Sequence, residues 1–170
     1  MFRDEVRKQA ESLLVNYPVE GGFPPVNVLL LAKNLNYTVY QASFKNENIS
    51  GGITFNADGN GGKIYVNHND SPFRQRFTIA HEIGHAVLHS ENYKKNGILE
   101  QIDMFRTGRG TGNESEFEAN EFAATLLMPE NLVRKYWSSW GSVELLADIF
   151  KVSLSAMSYR LYKLKLKGDW

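Results

Sequence analysis

The part of the chain richest in potential chemistry is an apolar segment in which two histidines enclose a glutamate, His81-Glu82-x-x-His85. Helical residues four apart lie about 6 Å from each other on one face, so the two imidazoles can bind a single metal ion. Glu82 lies one step around the helix, where a carboxylate can take a proton from metal-bound water and deliver it to a leaving amine. The spacing therefore predicts a metal centre with a general base beside it.

A pattern this short also arises by chance, and two ordinary surface histidines are the alternative interpretation. The surrounding residues favour a metal, because ionisable groups in a buried helix need partners. Gly84 is a poor helix former, so its presence indicates the close approach of another backbone or of a ligand. The apolar residues that make this helix largely buried are Ile79, Ala80, Ile83, Ala86, Val87 and Leu88.

A catalytic zinc normally has three protein ligands and an open position. His89 lies about 12 Å along the helix from His81 and is too distant for the same ion; we expect it to cap the helix end or to support a ligand. The longer spacing HExxHxxGxxH is excluded, because position 88 is leucine and position 91 is glutamate. His68 follows a predicted strand, and a turn residue is its more typical interpretation.

A carboxylate on a later helix is then the expected third ligand. Glu116, Ala119, Asn120 and Ala123 share one helix face, and its small residues permit close packing on the histidine helix. Glu116 is the predicted ligand, and Asn120, one turn on, is predicted to orient a ligand imidazole; Glu118 projects from a different face. The alternative is a solvated helix start favoured by the dipole, which would apply to Glu114, Glu116, Glu118 and Glu121.

Hydrophobic periodicity and turn residues indicate the elements that must position this site. They predict an α+β chain, mostly helical, with a small antiparallel β-sheet. We expect helices at 3–16, from 25 or 26 to 34–36, from 72 or 73 to about 89, and at 114–128, followed by two or three short helices. Strands are expected at 37–40, 49–55 and 63–67.

The last two predicted strands flank a glycine-rich turn at 58–62, which is typical of a β-hairpin. Since the hairpin directly precedes the metal helix, one of its strands is expected to form a sheet edge beside the ion, where an extended substrate can pair. Residues 91–113 lose periodicity and carry four glycines, so we expect a long loop there.

The composition limits the remaining possibilities. The formal net charge is zero, so no global field draws the chain to DNA or to an anionic membrane. There is no cysteine, which excludes disulfides and thiolate metal sites. The sequence has neither a signal-peptide pattern nor an apolar run of membrane-spanning length. We therefore expect a cytoplasmic protein.

The segment RFTIAHEIGHAVLH, followed by EFEANEFAATLLMP, resembles the ImmA/IrrE family of metallo-endopeptidases from bacteria and their mobile elements. The resemblance implies a zincin-like domain with a gluzincin-like site. His81 and His85 would match the metal histidines, Glu82 the catalytic glutamate, and Glu116 the acidic residue of the ExxAN element. It also implies a protein substrate, a helix-turn-helix repressor or an antitoxin-like relative.

Residues 145–157 resemble a helix-turn-helix, which continues to 161. We therefore divide the chain into a metallopeptidase domain at 1–138 and helix-turn-helix-like C-terminal helices at 139–170, packed on it. Three interpretations of this segment compete: DNA binding, docking of a repressor, and helices that only complete the core. Lysines at 163, 165 and 167 supply some positive charge, but the residues between them are typical of packing, so DNA binding is not favoured.

The predicted function is metal-dependent peptide hydrolysis, with one Zn²⁺ as the simplest cofactor and another divalent ion such as Mn²⁺ also compatible. A DNA-binding regulator with a structural metal is the alternative, and a protein-binding module with a vestigial site is a third. Retention of Glu82 argues against the third, because a structural site needs no base. Tyr93 and His68 are candidates for stabilising the oxyanion.

Overall fold

The computed structural model describes residues 3–18, 22, 24–97, 100–103 and 114–168. Two helices and then three consecutive strands precede the long helix, and apart from one further short strand the rest is helical, which confirms the predicted α+β class. In chain order the elements are α1 (Arg3–Asn16), α2 (Val28–Asn34), β1 (Tyr37–Ala42), β2 (Gly51–Phe55), β3 (Gly62–Asn67), α3 (Pro72–Lys95), β4 (Glu100–Asp103), α4 (Glu114–Leu127), α5 (Glu130–Trp140), α6 (Val143–Phe150) and α7 (Leu154–Lys163).

The four described strands form one sheet in the order β1-β3-β2-β4. The predicted hairpin is present, with β2 antiparallel to β3 and Ile53 opposite Ile64. However, β1 pairs with β3 in parallel, so the sheet is mixed and not antiparallel as predicted. The reason is the connection at 43–50, which carries the chain past β3 and places β2 on its far side.

The expectation that a hairpin strand forms the sheet edge is wrong. Both hairpin strands are paired on both sides, β2 by β3 and β4, and β3 by β1 and β2. Among the described strands, β1 and β4 are the outer ones. The strand β4 pairs antiparallel with β2, with Gly51 opposite Asp103.

The metal helix is longer than predicted. It begins as expected, with Ser71 capping the Arg74 amide and Pro72 in the first turn, but it continues to Lys95. The expected loop at 91–113 is therefore partly wrong, because its start is helical and residues 100–103 form β4; the glycines at 108, 110 and 112 lie outside the described residues. Buried side chains account for the extension, since His89 and Tyr93 lie on the inner side of the helix.

Helices α3 and α4 cross with their backbones almost in contact. A Cβ built on Gly84 would lie 3.2 Å from the Cα of Ala119 and 3.3 Å from the Cβ of Phe122. This confirms the prediction that Gly84 marks a close approach. The crossing brings the first turns of α4 against the middle of α3, where the two histidines lie.

Helices α5, α6 and α7 complete the same apolar core, to which they contribute buried residues including Val133, Leu146, Phe150, Met157 and Leu161. The turn between α6 and α7 spans 151–153, so the pair has helix-turn-helix form. Arg160 of α7 is buried and donates from Nε to the Met128 carbonyl at 3.0 Å, just beyond α4. The division of the chain at residue 138 stays a prediction; that position lies within α5.

Among the helices in the described part of the chain, none has both the length and the apolar character needed to cross a bilayer.

Replacing Gly84 by valine should destabilise the fold by about 1–3 kcal/mol, because the larger side chain forces α3 and α4 apart. Metal binding should weaken as well, since the histidines belong to α3 and Glu116 belongs to α4. Urea unfolding of the metal-free protein and zinc titration would measure the two effects.

Gly168 is the control for this variant, because a Cβ there meets nothing within 4 Å. Gly168→Val should change neither quantity. Unaltered unfolding and zinc affinity in Gly84→Val would contradict the role assigned to the crossing.

Candidate metal centre

Three side chains predicted to bind the ion converge in the structure. Glu116 lies with one carboxylate oxygen 3.4 Å from His81 Nε2 and the other 3.3 Å from His85 Nε2. The two Nε2 atoms are 2.9 Å apart. One ligand atom from each of the three residues lies within 4.8 Å of the others. Both histidines are fully buried, and the Glu116 side chain is 16% exposed, so the group is reached from its carboxylate side.

The far side of each imidazole is also held. Asn120 accepts a hydrogen bond through Oδ1 from His81 Nδ1 at 3.1 Å. The hydroxyl of Tyr93 lies 3.1 Å from His85 Nδ1. When Nδ1 carries the proton, Nε2 of a neutral imidazole presents its lone pair. The Asn120 oxygen only accepts and so favours that tautomer of His81, and the Tyr93 hydroxyl is able to accept from His85 Nδ1 in the same way. The prediction that Asn120 orients an imidazole thus has a geometric basis, although its role stays a prediction.

The hydroxyl of Tyr93, a predicted candidate for stabilising the oxyanion, lies against His85 Nδ1, and the oxyanion role stays a prediction. Tyr93 lies two turns after His85 on α3, and its ring packs 5.6 Å from Phe55 of the sheet. The predicted helix ends at about residue 89, which leaves Tyr93 outside it, whereas α3 continues to Lys95. The four-residue spacing of His81, His85, His89 and Tyr93 is the signal that would have revealed it, since such residues form one stripe on a continuous helix.

His89 does not cap the helix. It is buried in the middle of α3, with its Nε2 3.5 Å from a carboxylate oxygen of Glu118 and a hydrogen bond to the backbone of Ser115. Burial and the neighbouring His85 lower the pKa of His89 and outweigh the opposing effect of Glu118. His89 therefore connects α3 to the first turns of α4 on either side of Glu116, which fixes that carboxylate beside the histidines.

The proposed base lies against the sheet. Glu82 is fully buried, and a Cβ added to Gly51 would be 3.5 Å from its Oε1. The same Cβ would overlap the Thr78 methyl group and come within 2.6 Å of the Tyr65 carbonyl oxygen. A glycine is thus needed at 51 to let β2 lie directly on the turn of α3 that carries Glu82. His68 is elsewhere, at the exposed end of β3, where its Nδ1 is 3.2 Å from Ser43 Oγ.

The donor set fits a divalent metal. Burial raises the pKa of Glu116, but hydrogen bonds and charge interactions with His81 and His85 outweigh burial and hold that pKa well below its usual range. Glu116 is therefore an anion at neutral pH. Two imidazole nitrogens and a carboxylate converge stably only around a proton or a cation, and this combination of nitrogen and oxygen ligands is one that zinc accepts.

Tyr93→Phe and Asn120→Ala should each weaken zinc binding about 10–100-fold, because each removes the group that orients a ligand imidazole. A chelator competition titration would measure the dissociation constants. Tyr136→Phe is the control, since Tyr136 is buried against Trp140 and Phe150 and removal of its hydroxyl should leave zinc affinity unchanged. Wild-type zinc affinity in both test variants would show that the two contacts do not support the ligands.

The sequence is similar to proteins of one family over most of its length. Residues 32–162 match the Peptidase_M78 family model, described as the IrrE N-terminal-like domain. The chain is 34% identical over 102 residues to the radiation response metalloprotease IrrE of Deinococcus radiodurans. The aligned stretch covers 59% of this chain and 30% of that protein. It is also 33% identical over 76 residues to uncharacterized immunity region protein 2 of Bacillus phage phi105, over 43% of the chain and 42% of the relative.

A solved structure described as a Mycobacterium tuberculosis transcriptional regulator shares the fold, with a TM-score of 0.59 and 18% identity over 94% of this chain and 46% of that one. The chain thus spans less than half the length of each of these relatives. The family match covers most of the chain and includes all the residues that converge at the candidate centre. The chain belongs to the IrrE N-terminal-like family, Peptidase_M78, a family of metallopeptidases.

Proposed function

We propose that this protein is a zinc-dependent endopeptidase in which His81, His85 and Glu116 bind the ion and Glu82 is the general base. The observation that supports this most directly is the convergence of the three ligand atoms within 4.8 Å, with Glu82 one residue along the same helix. When bound, the ion polarises the scissile carbonyl and lowers the pKa of its water. Three protein ligands leave a position for that water, as catalytic zinc requires.

The protein residues divide the remaining work. Glu82 takes a proton at its carboxylate and returns it to the leaving amine. Its burial against Gly51 holds the carboxylate in one orientation and keeps bulk water away from it. Asn120 and Tyr93 keep the two imidazoles in the neutral, metal-binding tautomer, and His89 holds the helix turn that carries Glu116.

A helix-turn-helix transcriptional repressor, or an antitoxin-like protein of the same kind, is the proposed substrate. Similarity to an immunity region protein of a phage and to a radiation response metalloprotease supports this class. An extended stretch of the target would pair with β4, the outer strand on the β2 side of the described sheet. Asp103 of that strand lies opposite Gly51, which adjoins the proposed base.

Glu82→Gln should retain zinc but lose about 10²–10⁴-fold in peptide cleavage, because the ligands remain while the base is gone. Zinc content by elemental analysis and cleavage of a candidate repressor by mass spectrometry would test both halves. Wild-type cleavage by this variant would refute the mechanism.

The second candidate function is a DNA-binding regulator with a structural metal, which the helix-turn-helix form of α6 and α7 favours. It predicts tight, steeply salt-dependent DNA binding by the zinc-loaded protein. We expect weak DNA binding instead. Strong binding in a gel-shift assay, together with no cleavage of any protein target, would favour the regulator.

Glu116→Ala should lower zinc retention far more than Glu118→Ala, because Glu118 contacts His89 and is not among the three converging ligands. Glu114→Ala, at an exposed position two residues before Glu116, is the control for removal of a negative charge. Equal zinc loss in the Glu116 and Glu118 variants would overturn the assignment of the third ligand.

A further inference from the structure

The helix face that carries the metal histidines continues beyond them as aromatic side chains. Phe73, Phe77 and His81 follow each other at four-residue intervals, so they lie along one face of α3. Phe77 is half-buried, with its ring centroid 6.3 Å from that of His81. Phe73 is 41% exposed near the start of the helix. An apolar surface therefore runs from the candidate centre to the amino-terminal end of α3.

Two adjoining cavities follow this face. The smaller, of about 170 Å³, is bordered by Phe77, Asn120 and Ala124 together with Tyr159 of α7. The larger, of about 450 Å³, reaches Phe73. They share the residues Phe77, Met128, Ala156 and Tyr159. We call the two together the α3–α7 groove. Asn120 lines the smaller cavity and accepts from His81 Nδ1, on the side of that ring away from Glu116, so the groove lies behind the His81 imidazole and next to the proposed metal centre.

The size of the smaller cavity suits one side chain. A cavity of about 150 Å³ in another protein accommodates a benzene molecule, so about 170 Å³ is enough for a single ring or a long aliphatic chain. Its walls are mainly apolar, and Tyr159, whose side chain is 47% exposed, forms the outer wall. The cavity thus fits a large apolar group brought in from outside.

The charges around the groove restrict the occupant further. Arg74 lines one cavity and Lys163 the other, where its Nζ lies 5.8 Å from the centre of the Tyr159 ring. Among the lining residues Glu121 is the acidic one, and it forms an ion pair with Arg7 at 2.7 Å. With Arg160 of the smaller cavity as the third cation, the lining residues carry a positive formal charge, which favours an occupant that carries carboxylates beside its apolar group.

We propose that the α3–α7 groove is a substrate subsite that takes a large apolar, preferably aromatic, side chain of the target polypeptide, flanked by an acidic residue. This rests on the proposed peptidase function. Phe73 lies eight residues, about 12 Å along the helix, from His81, a distance of between about three and four residues of extended peptide. The anchoring residue is thus within about four positions of the scissile bond. Helix α7 then contributes to substrate specificity as one wall of the groove.

The test is cleavage of a randomised peptide library by the zinc-loaded protein, read by mass spectrometry. The wild type should prefer phenylalanine, tyrosine or leucine at one fixed position, with Glu or Asp beside it. Ala156→Leu fills the groove and should lower kcat/KM for a phenylalanine peptide about 10–200-fold relative to its alanine counterpart. Zinc content should stay at the wild-type value. Tyr162→Ala is the matched control, since Tyr162 is 47% exposed on the same helix but does not line the groove.

A binding measurement separates this proposal from the peptidase function. Glu82→Gln protein should bind a fluorescent peptide Glu-Phe at least tenfold more tightly than its Glu-Ala analogue, and Ala156→Leu should abolish the difference. The gain in affinity that the acidic residue gives to the peptide should be smaller at 0.5 M than at 0.05 M salt, because salt screens the attraction between exposed charges. Equal binding of the two peptides, or an unchanged preference in folded Ala156→Leu, would overturn the subsite. Selective binding without cleavage by the wild type would instead contradict the peptidase function alone.

Discussion

The backbone contact between α3 and α4 is the constraint on which the proposed centre depends. The histidines and the carboxylate come from different helices, and their atoms lie within 3.3–3.4 Å of each other. Side chains of ordinary size between the helices would move the two axes apart by more than that distance allows. Glycine at 84 and alanine at 119 remove this obstacle. The cost is a poor helix former in the middle of a long helix, offset by the buried contacts on either side.

The second constraint is electrostatic and concerns the positions of the imidazole protons and the charge of Glu116. Two imidazole nitrogens that each present a lone pair at 2.9 Å repel unless a proton or a cation lies between them. Asn120 and Tyr93 lie against the other nitrogen of each ring, where the imidazole proton can be held on the outer side. Glu116 supplies the negative charge, and its low pKa shows that the two histidines stabilise its ionised form despite burial. These contacts supply what the proposed metal centre would need before a cation binds.

Local patterns in the sequence predicted the features that depend on local interactions. The hairpin, the helix start at Pro72 and the face of α4 with Glu116 and Asn120 follow from turn chemistry and periodicity. The parallel pairing of β1 with β3 does not, because it is set by the route of residues 43–50 and leaves no mark in the strands themselves. The extension of α3 was missed since its last turns are polar outside, and the buried positions of His89 and Tyr93 become visible only when the helix is continued.

Two arginines connect the C-terminal helices to the two helices of the proposed centre, α3 and α4. Arg160 gives its Nε to the Met128 carbonyl just beyond α4, and Arg76 of α3 bonds to the Lys151 carbonyl in the turn between α6 and α7. If α7 detached, a buried carbonyl would lose its donor and the apolar side of α4 would meet water. A buried carbonyl that loses its hydrogen-bond donor lowers the free energy of unfolding. Unfolding of the C-terminal helices is therefore coupled to loosening of α4, so that heat or denaturant should disrupt them in a single cooperative transition.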